Sequence, residues 1–319
     1  MPKWHLYTGD SEPYDFEPPE TPSWRCFDGE VVTEPPQIHA DPVEGATFRV
    51  TPDTVDAVNA ALHLRRPLLL TGRPGSGKSS LIDSVARELR LGPVLRWHVT
   101  SRSTLQDALY RYDAIGRLHE HNLEQRIPSI TKYLRLGPLG TALLPSRRPR
   151  ALLIDEIDKS DIDLPNDLLN VFERGEYEIP ELARLNEQKV PIREEGSDRT
   201  HPITRGRVRC HEFPFVVLTS NGERDFPPAF LRRCIRHQMP DPTAQLLRDI
   251  VTAHLGPEAA AYGDELITDF ANRAAATRAQ ATDQLLNAVY LVTRDLAPED
   301  GDRDRVVELL LKRLGPDPA

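Results

Sequence analysis

Three short stretches of this chain carry side chains whose types and spacing imply chemistry on a phosphate. The first is Gly72-Arg73-Pro74-Gly75-Ser76-Gly77-Lys78-Ser79, which has the spacing G-x-x-x-x-G-K-[ST]. Its glycines let the backbone curl so that successive N–H groups point inward at an anion. A helix opening at its end, with Ser80 in the first turn, adds partial positive charge. Lys78 supplies a mobile cation for the outer phosphates, and Ser79 a hydroxyl for Mg2+. The second stretch is Asp155-Glu156. Asp155 can hold Mg2+, directly or through water, and Glu156 can act as a base on a water aligned with a γ-phosphate. The third is Asn221, whose amide can bond a γ-phosphate or orient that water, or which simply forms a turn before Gly222.

Each stretch needs an element to hold it. The apolar run Pro67-Leu68-Leu69-Leu70 reads as the strand before the glycine loop, and Ser80 to Leu89 as the helix after it. Ala151-Leu152-Leu153-Ile154 reads as a buried parallel strand with its carboxylates at the C-terminal end, where ligands of open α/β sheets gather. Phe213 to Leu218 is a further strand, ending at Thr219-Ser220-Asn221. Val94 to Val99 is another, ending at Thr100-Ser101-Arg102, and Ile235 to Met239 a fifth. Thr51 and Pro52 open a helix as N-cap and first-turn residue.

The remaining stretches are less regular. Residues 103–145 predict one helix through Leu105, Ala108, Leu109 and Tyr112. A second runs through Ile127, Ile130, Tyr133 and Leu134 and is ended by Gly137-Pro138. A turn or small insertion falls at Tyr110–Leu118. A helix is expected from Pro165 to Arg174. Residues 175–212 are charged and irregular and read as a hairpin or flexible loop. Beyond Pro240-Asp241-Pro242 the pattern is helical only. Thr243, Asp264, Thr282 and Asp302 each open an apolar stripe of helical period, which predicts four short helices. The organisation expected is an arm at 1–44, an α/β domain at 45–240 and an all-α domain at 241–319.

The arm is dense in proline and acid, so neither a helix nor a central strand is expected there. Trp4, Tyr7, Tyr14, Phe16, Trp24 and Phe27 are scattered through it. So many aromatics predict an extended segment docked on the main domain or on a neighbouring subunit. The formal net charge is −9, from 40 basic and 49 acidic residues. That balance weighs against a sequence-independent nucleic-acid binder. Cys26, Cys210 and Cys234 are too far apart for a C-x-x-C or zinc pattern. There is no run of 18 apolar residues, and the N-terminus lacks the apolar core of a signal peptide. A cytoplasmic, reducing location is the expectation.

The set Gly72–Ser79, Leu152-Leu153-Ile154-Asp155-Glu156, Thr219-Ser220-Asn221 and Leu231-Arg232-Arg233-Cys234 resembles an AAA+ ATPase. The stretches Thr100-Ser101-Arg102, Tyr110–Leu118 and Ile154-Asp155-Glu156-Ile157-Asp158-Lys159 resemble its MoxR branch. The resemblance spans about residues 45–315 and implies an α/β P-loop NTPase fold. Its parallel sheet has the order 5-1-4-3-2 between layers of helices, followed by a small all-α lid. It also implies the roles of Walker A for Gly72–Ser79, Walker B for Asp155-Glu156 and sensor 1 for Asn221. Arg232 or Arg233 matches an arginine finger serving a neighbouring copy's nucleotide. Arg233 is favoured because the Arg-Cys ending resembles the finger of clamp-loader relatives. A finger acting in trans implies a ring, a hexamer in this resemblance. The sequence departs from the pattern at the third lid helix, where Ala281-Thr282-Asp283-Gln284 has no sensor-2 arginine. Arg278, just before it, is the nearest candidate to reach the phosphates. Thr100 or Ser101 is the candidate to contact Glu156 and gate it.

The resulting expectation is a Mg2+-dependent ATPase ring that remodels or activates a protein client, which in the MoxR branch is often one carrying a von Willebrand factor A-type domain. Residues 175–212 and the Tyr110–Leu118 insertion would face the pore or the partner. ATP is favoured over GTP because the Asn-Lys-x-Asp guanine-reading motif is absent. Two other readings are carried forward. One is a nucleotide-loaded switch or scaffold of a bacterial conflict or signalling system with little turnover. The other is a nucleic-acid motor, which the acidic balance disfavours.

Overall fold

Strands covered on both faces need apolar side chains at nearly every position, and three such strands form the middle of the central sheet. The computed structural model describes residues 4–31, 45–125, 128–277, 281–293 and 300–311. In chain order its elements run α1 (Pro52–Leu64), β1 (Leu68–Thr71), α2 (Lys78–Glu88), β2 (Leu95–His98), α3 (Leu105–Leu109), β3 (Tyr110–Tyr112), α4 (Ala114–Glu124), β4 (Leu134–Leu136), α5 (Pro138–Ala142) and β5 (Ala151–Asp155). They continue as α6 (Leu164–Arg174), β6 (Glu176–Glu178), α7 (Pro180–Ala183), β7 (Lys189–Arg193), β8 (Thr200–Thr204), β9 (Arg207–Arg209), β10 (Phe215–Ser220), α8 (Pro228–Leu231) and β11 (Ile235–Gln238). The helices α9 (Ala244–Leu255), α10 (Pro257–Tyr262), α11 (Asp264–Thr277), α12 (Thr282–Val292) and α13 (Asp300–Leu310) follow.

The central sheet is parallel and has the order β11-β1-β10-β5-β2. Counted along this sheet alone, that is the expected 5-1-4-3-2. Alternation divides its side chains between two layers. Leu68, Leu70, Leu153 and Val217 pack with Val58, Leu81, Ile82 and Val85 of α1 and α2. Leu69, Leu152, Ile154, Val216 and Leu218 pack with Leu139, Leu168 and Phe172 of α5 and α6. Because β10 lies between β1 and β5, the glycine loop, Asn221 and Asp155 all emerge at one edge, side by side.

A second sheet, of order β3-β4-β7-β8-β9-β6, corrects the sequence reading. The helix expected through Ile130 and Leu134 is instead a single turn, Ile130–Lys132, followed by β4; Ile127 lies outside the described residues. Gly137-Pro138 begins α5 rather than ending a helix. The insertion at Tyr110–Leu118 is β3 and the first turns of α4. The stretch 175–212, expected as a hairpin or flexible loop, supplies β6 to β9, with β7 and β8 paired as a hairpin. These strands alternate strictly. Val190, Ile192, Ile203 and Val208 enter the core while Lys189, Pro191, Arg193 and Arg207 stay exposed.

The aromatic arm is docked on its own chain. Tyr7 and Phe16 are buried against α1 and α2, and the Tyr7 hydroxyl meets Ser84 Oγ at 2.8 Å. The Glu88 carboxylate is fully buried and accepts the backbone N–H groups of Thr8, Gly9 and Ser11. Burial raises its pKa, and the Thr8 bonds oppose that. Arg25 is buried over the rings of Phe27 and Phe213 and donates to the carbonyls of Arg65 and Phe172. Trp4 and Trp24 remain exposed.

The C-terminal helices share a small core around Leu247, Val251, Phe270, Leu285 and Val289. Thr243 caps α9 as expected, its hydroxyl accepting the Leu246 N–H at 3.2 Å. Where four helices were expected there are five among the described residues, because Gly256, at φ +92°, and Pro257 break out the short α10. Thr282 is the first residue of α12, and Ala281 holds the cap position. No described helix is long and apolar enough to cross a membrane. Cys210 and Cys234 are buried, and burial pushes each thiol up to about 12, which disfavours the thiolate form.

Candidate nucleotide-binding site

β1 delivers the chain into the glycine loop and α2 begins at Lys78. Gly75 and Gly77 have φ of +71° and +82°, which side chains resist. Each also permits a close approach. A Cβ on Gly75 would stand 2.3 Å from that of Ala281 at the start of α12, and one on Gly77 would stand 2.9 Å from the Phe48 ring. The loop is thus wedged between the C-terminal helices and the segment before α1.

Lys78 is largely buried. Its ammonium donates to the carbonyls of Gly72 and Arg73, both at 2.7 Å, and to Asn221 Oδ1 at 2.9 Å. Burial lowers its pKa, while the charges of Asp158, Asp155 and Glu156 oppose the shift. Ser79 Oγ donates to Asp155 Oδ1 at 2.9 Å, and Thr219 Oγ1 donates to the same oxygen at 2.6 Å. Ser76 Oγ is buried without a hydrogen-bond partner among the described residues. Ser80 is exposed at the rim, and Arg73 pairs with Asp241 at 2.7 Å, tying the loop to the chain before α9.

Glu156 has a φ of +59°. For a residue with a side chain this conformation costs about 1–3 kcal/mol and persists where the surroundings impose it. Here its N–H donates to Thr219 Oγ1 at 2.9 Å, and its carboxylate accepts from Lys159 Nζ at 2.7 Å. His98 Nε2, at the end of β2, lies 3.5 Å away. Thr100 makes no such contact, since its N–H bonds Ser103 Oγ in a local turn, and no bond links Ser101 to Glu156 either. The polar group of β2 facing Glu156 is therefore His98, two residues earlier than expected.

Asp158 was not assigned a role from sequence. It is buried, and Oδ2 accepts the N–H groups of Asn221 at 2.9 Å and Glu223 at 3.2 Å. Arg224 reaches back to the carbonyls of Asp158 and Ser160. The turn after β5 and the loop after β10 are clamped together by this one carboxylate.

Two cavities meet at the loop. One, of about 270 Å³, is lined by Lys78, Ser79, Asp155, Glu156, Thr219 and Asn221. The other, of about 460 Å³, is mostly apolar, with Phe48, Val50, Met239, Leu246, Ile250 and Leu286 in its wall. Gly75, Gly77 and Ser80 border both. The apolar wall escaped the sequence reading because its residues come from three distant segments, each of which looks like ordinary core. Arg278 lies outside the described residues, and Thr282 and Asp283 are the polar residues that α12 presents to the larger cavity, beside Leu286.

The arginine pair is not brought to this site. Arg232 and Arg233 precede β11, whose Ile235 pairs with Leu68 at the start of β1. The glycine loop follows the end of β1. The strands are parallel, so loop and arginines sit at opposite edges, separated by roughly 13 Å of strand. Arg233 is held by Glu173 at 2.9 Å and by the Ala229 carbonyl at 3.1 Å. Arg232 is exposed, and its guanidinium has no ion pair among the described residues.

Mg2+ prefers oxygen donors, few from protein and the rest from phosphate and water. The Ser79 hydroxyl against Asp155 Oδ1, beside a phosphate-sized concavity, offers that donor set. A family model described as AAA domain (dynein-related subfamily) matches residues 67–234. Among solved structures, domain III of the Thermotoga maritima replication initiation protein DnaA aligns at 16% identity over 86% of this chain and 99% of that chain, with a TM-score of 0.43. No curated protein matches the sequence.

Proposed function

We propose, on the premise that this chain belongs to the dynein-related subfamily of the AAA domain family, that it is a Mg2+-dependent ATPase that works as a ring and remodels or activates a protein partner. The observation that carries this reading is the convergence of Lys78, Ser79, Asp155 and Asn221 on one cavity beneath the glycine loop.

The triphosphate would lie along Gly72–Ser79, with Lys78 exchanging carbonyl partners for phosphate oxygens. The unpartnered Ser76 hydroxyl is placed to find an acceptor there. A purine would fill the apolar cavity beside Phe48 and Leu286, and the absence of the Asn-Lys-x-Asp motif favours ATP as the nucleotide. Mg2+, held by Ser79 and by Asp155 directly or through water, would neutralise charge on the outer phosphates. Glu156 would take the proton of the attacking water, and Asn221 would bond the γ-phosphate. The opposite-edge placement of Arg232 and Arg233 supports delivery of the finger from a neighbouring copy, hence a ring, a hexamer on the MoxR resemblance. Between the two arginines, Arg232 has the free guanidinium and Arg233 is anchored by Glu173, which reverses the preference drawn from sequence. A client with a von Willebrand factor A-type domain fits the same resemblance.

One observation favours the low-turnover switch as a second reading. Glu156 is ion-paired with Lys159, which occupies a carboxylate oxygen that would otherwise face the attacking water until the pair opens. Both readings are tested with Glu156→Gln, Lys78→Ala and the unaltered chain. Glu156→Gln should retain ATP without hydrolysing it, Lys78→Ala should bind none, and captured Glu156→Gln rings should bring a client with them. Normal hydrolysis by Glu156→Gln would remove that residue as the base. Background turnover by the unaltered chain with its client bound would favour the switch.

A further inference from the structure

The exposed face of the second sheet carries its charges in rows. Arg111 on β3 is in register with Arg135 on β4, and Arg135 with Arg193 on β7. All three side chains are exposed. Adjacent strands stand about 4.8 Å apart, so the three cations occupy a line of roughly 10 Å. A second row joins Lys189, Thr204 and Arg207 across β7, β8 and β9. Between the rows Pro191 faces Pro202, leaving a flat apolar strip.

Few anions answer these cations. Asp198, itself 95% exposed, lies 3.4 Å from Arg193. Arg135 gives two of its five N–H donors to the carbonyls of Glu194 and Ser197 and has no carboxylate partner among the described residues. Arg111 has no ion pair among the described residues. The acidic members of the sheet, Glu176 and Glu178, are on β6 at the edge away from the three arginines, where Glu178 stands opposite Arg207 and Glu176 is taken by Arg209. Like charges directly opposite one another destabilise a sheet. Three in register, in a chain of net charge −9, form a local field that an anionic partner would relieve.

We infer that this face binds an acidic polypeptide segment of the client, with carboxylates on the Arg111-Arg135-Arg193 row and an apolar residue over the proline strip. Guanidinium forks match carboxylates in pairs. Single-stranded nucleic acid is the weaker match because the face offers no stacking platform. Tyr110 and Tyr177 point into the core, and Tyr112 is half-buried. The inference rests on the reading of the chain as acting on a protein partner and gives that partner its chemistry.

The test is fluorescence anisotropy on the full chain with three labelled probes: an Asp/Glu-rich peptide containing Leu, its Asn/Gln counterpart, and a single-stranded oligonucleotide. The acidic peptide should bind and the neutral one should not, with affinity falling as salt rises. Arg111→Glu/Arg193→Glu should lose at least tenfold. Arg305→Glu, on α13, should lose less than twofold. The Arg111→Glu/Arg193→Glu protein should gain affinity for a Lys-rich peptide. Failure of the acidic peptide to bind, or its equal binding to the double variant, overturns the proposal. Tighter oligonucleotide binding that the double variant abolishes overturns it too, because the occupant is then nucleic acid. Nucleotide binding and turnover of the same proteins separate the two claims. A turnover failure with peptide binding intact counts against the ATPase reading alone, and lost peptide binding with turnover intact counts against this inference alone.

Discussion

The two sheets use opposite rules for exposing polar groups. The inner strands of the central sheet, β1, β10 and β5, are covered on both faces, so they are apolar along their length and their polar chemistry appears where they end, at Asp155, Ser220-Asn221 and the loop after Thr71. The second sheet has one face in the core and one in solvent, so its polar groups lie along the strands in every second position. The first arrangement concentrates function at a point and suits a small, highly charged ligand. The second spreads it over a surface and suits an extended partner. The difference predicts that substitutions at strand ends of the central sheet change chemistry, that inward positions of either sheet change stability, and that outward positions of the second sheet change partner affinity alone.

Removing the group that is delivered to those strand ends should have the largest effect. Arg232→Ala should lower ATP turnover by about a thousandfold, the scale of losing a transition-state arginine. Arg233→Ala should lose less and mainly destabilise α8, measured as turnover beside a denaturation midpoint. The reverse ranking would return the finger to Arg233. Next, Leu153→Ala in β5 and Ile192→Ala in β7 should each cost about 2–5 kcal/mol in chemical unfolding, as buried truncations do. Thr204→Ala on the exposed face should stay within about 0.5 kcal/mol. Equal losses at all three would erase the distinction between the faces.

Asp158 links the two strand ends of the central sheet, and Asp158→Asn should weaken its hold on Asn221. The expected result is an ATP-over-ADP preference reduced on the order of tenfold, with faster hydrogen exchange in residues 219–224. Unchanged preference and exchange would leave the residue without this role. The smallest effect expected is on pH. Burial alone would raise the Glu194 carboxyl, but the His201 hydrogen bond and the charges of Arg150 and His201 together hold it down to about 2. A carboxyl with a depressed folded pKa stabilises above its ordinary pKa, and that contribution fades as pH falls towards 2. Hydrogen exchange around β7 and β8 should therefore accelerate below about pH 4.5 before it does in β5 and β10. Glu194→Gln should flatten that dependence.

What was legible in the sequence follows the same contrast. Leu68-Leu69-Leu70 and Ala151-Leu152-Leu153-Ile154 could be read as strands because burial on both faces writes itself as an unbroken apolar run. The order of that sheet, and so the adjacency of Lys78, Asp155 and Asn221, came with the resemblance those motifs carry. Lys189-Val190-Pro191-Ile192-Arg193 has the period of a half-buried strand, yet its charges and proline left a hairpin and a flexible loop both open. Tyr133 and Leu134 seemed helical because a single turn precedes a three-residue strand, too short for either period to show. Asp158 and His98 were hidden for another reason: their partners lie across the sheet, where spacing along the chain carries no information. The freedom of Arg232 and the anchoring of Arg233 depend on Glu173, which no local pattern connects to either.

The central claim is that one copy holds the nucleotide while another supplies the arginine. It is tested most directly by mixing Lys78→Ala with Arg232→Ala and measuring ATP hydrolysis. The first cannot hold nucleotide but keeps its arginine, and the second holds nucleotide but lacks the arginine. Each alone should be close to inactive, and the mixture should recover a measurable fraction of turnover as intact sites form between unlike neighbours. A mixture no more active than its components, or an Arg232→Ala protein that hydrolyses ATP normally by itself, would contradict a site shared between copies through Arg232.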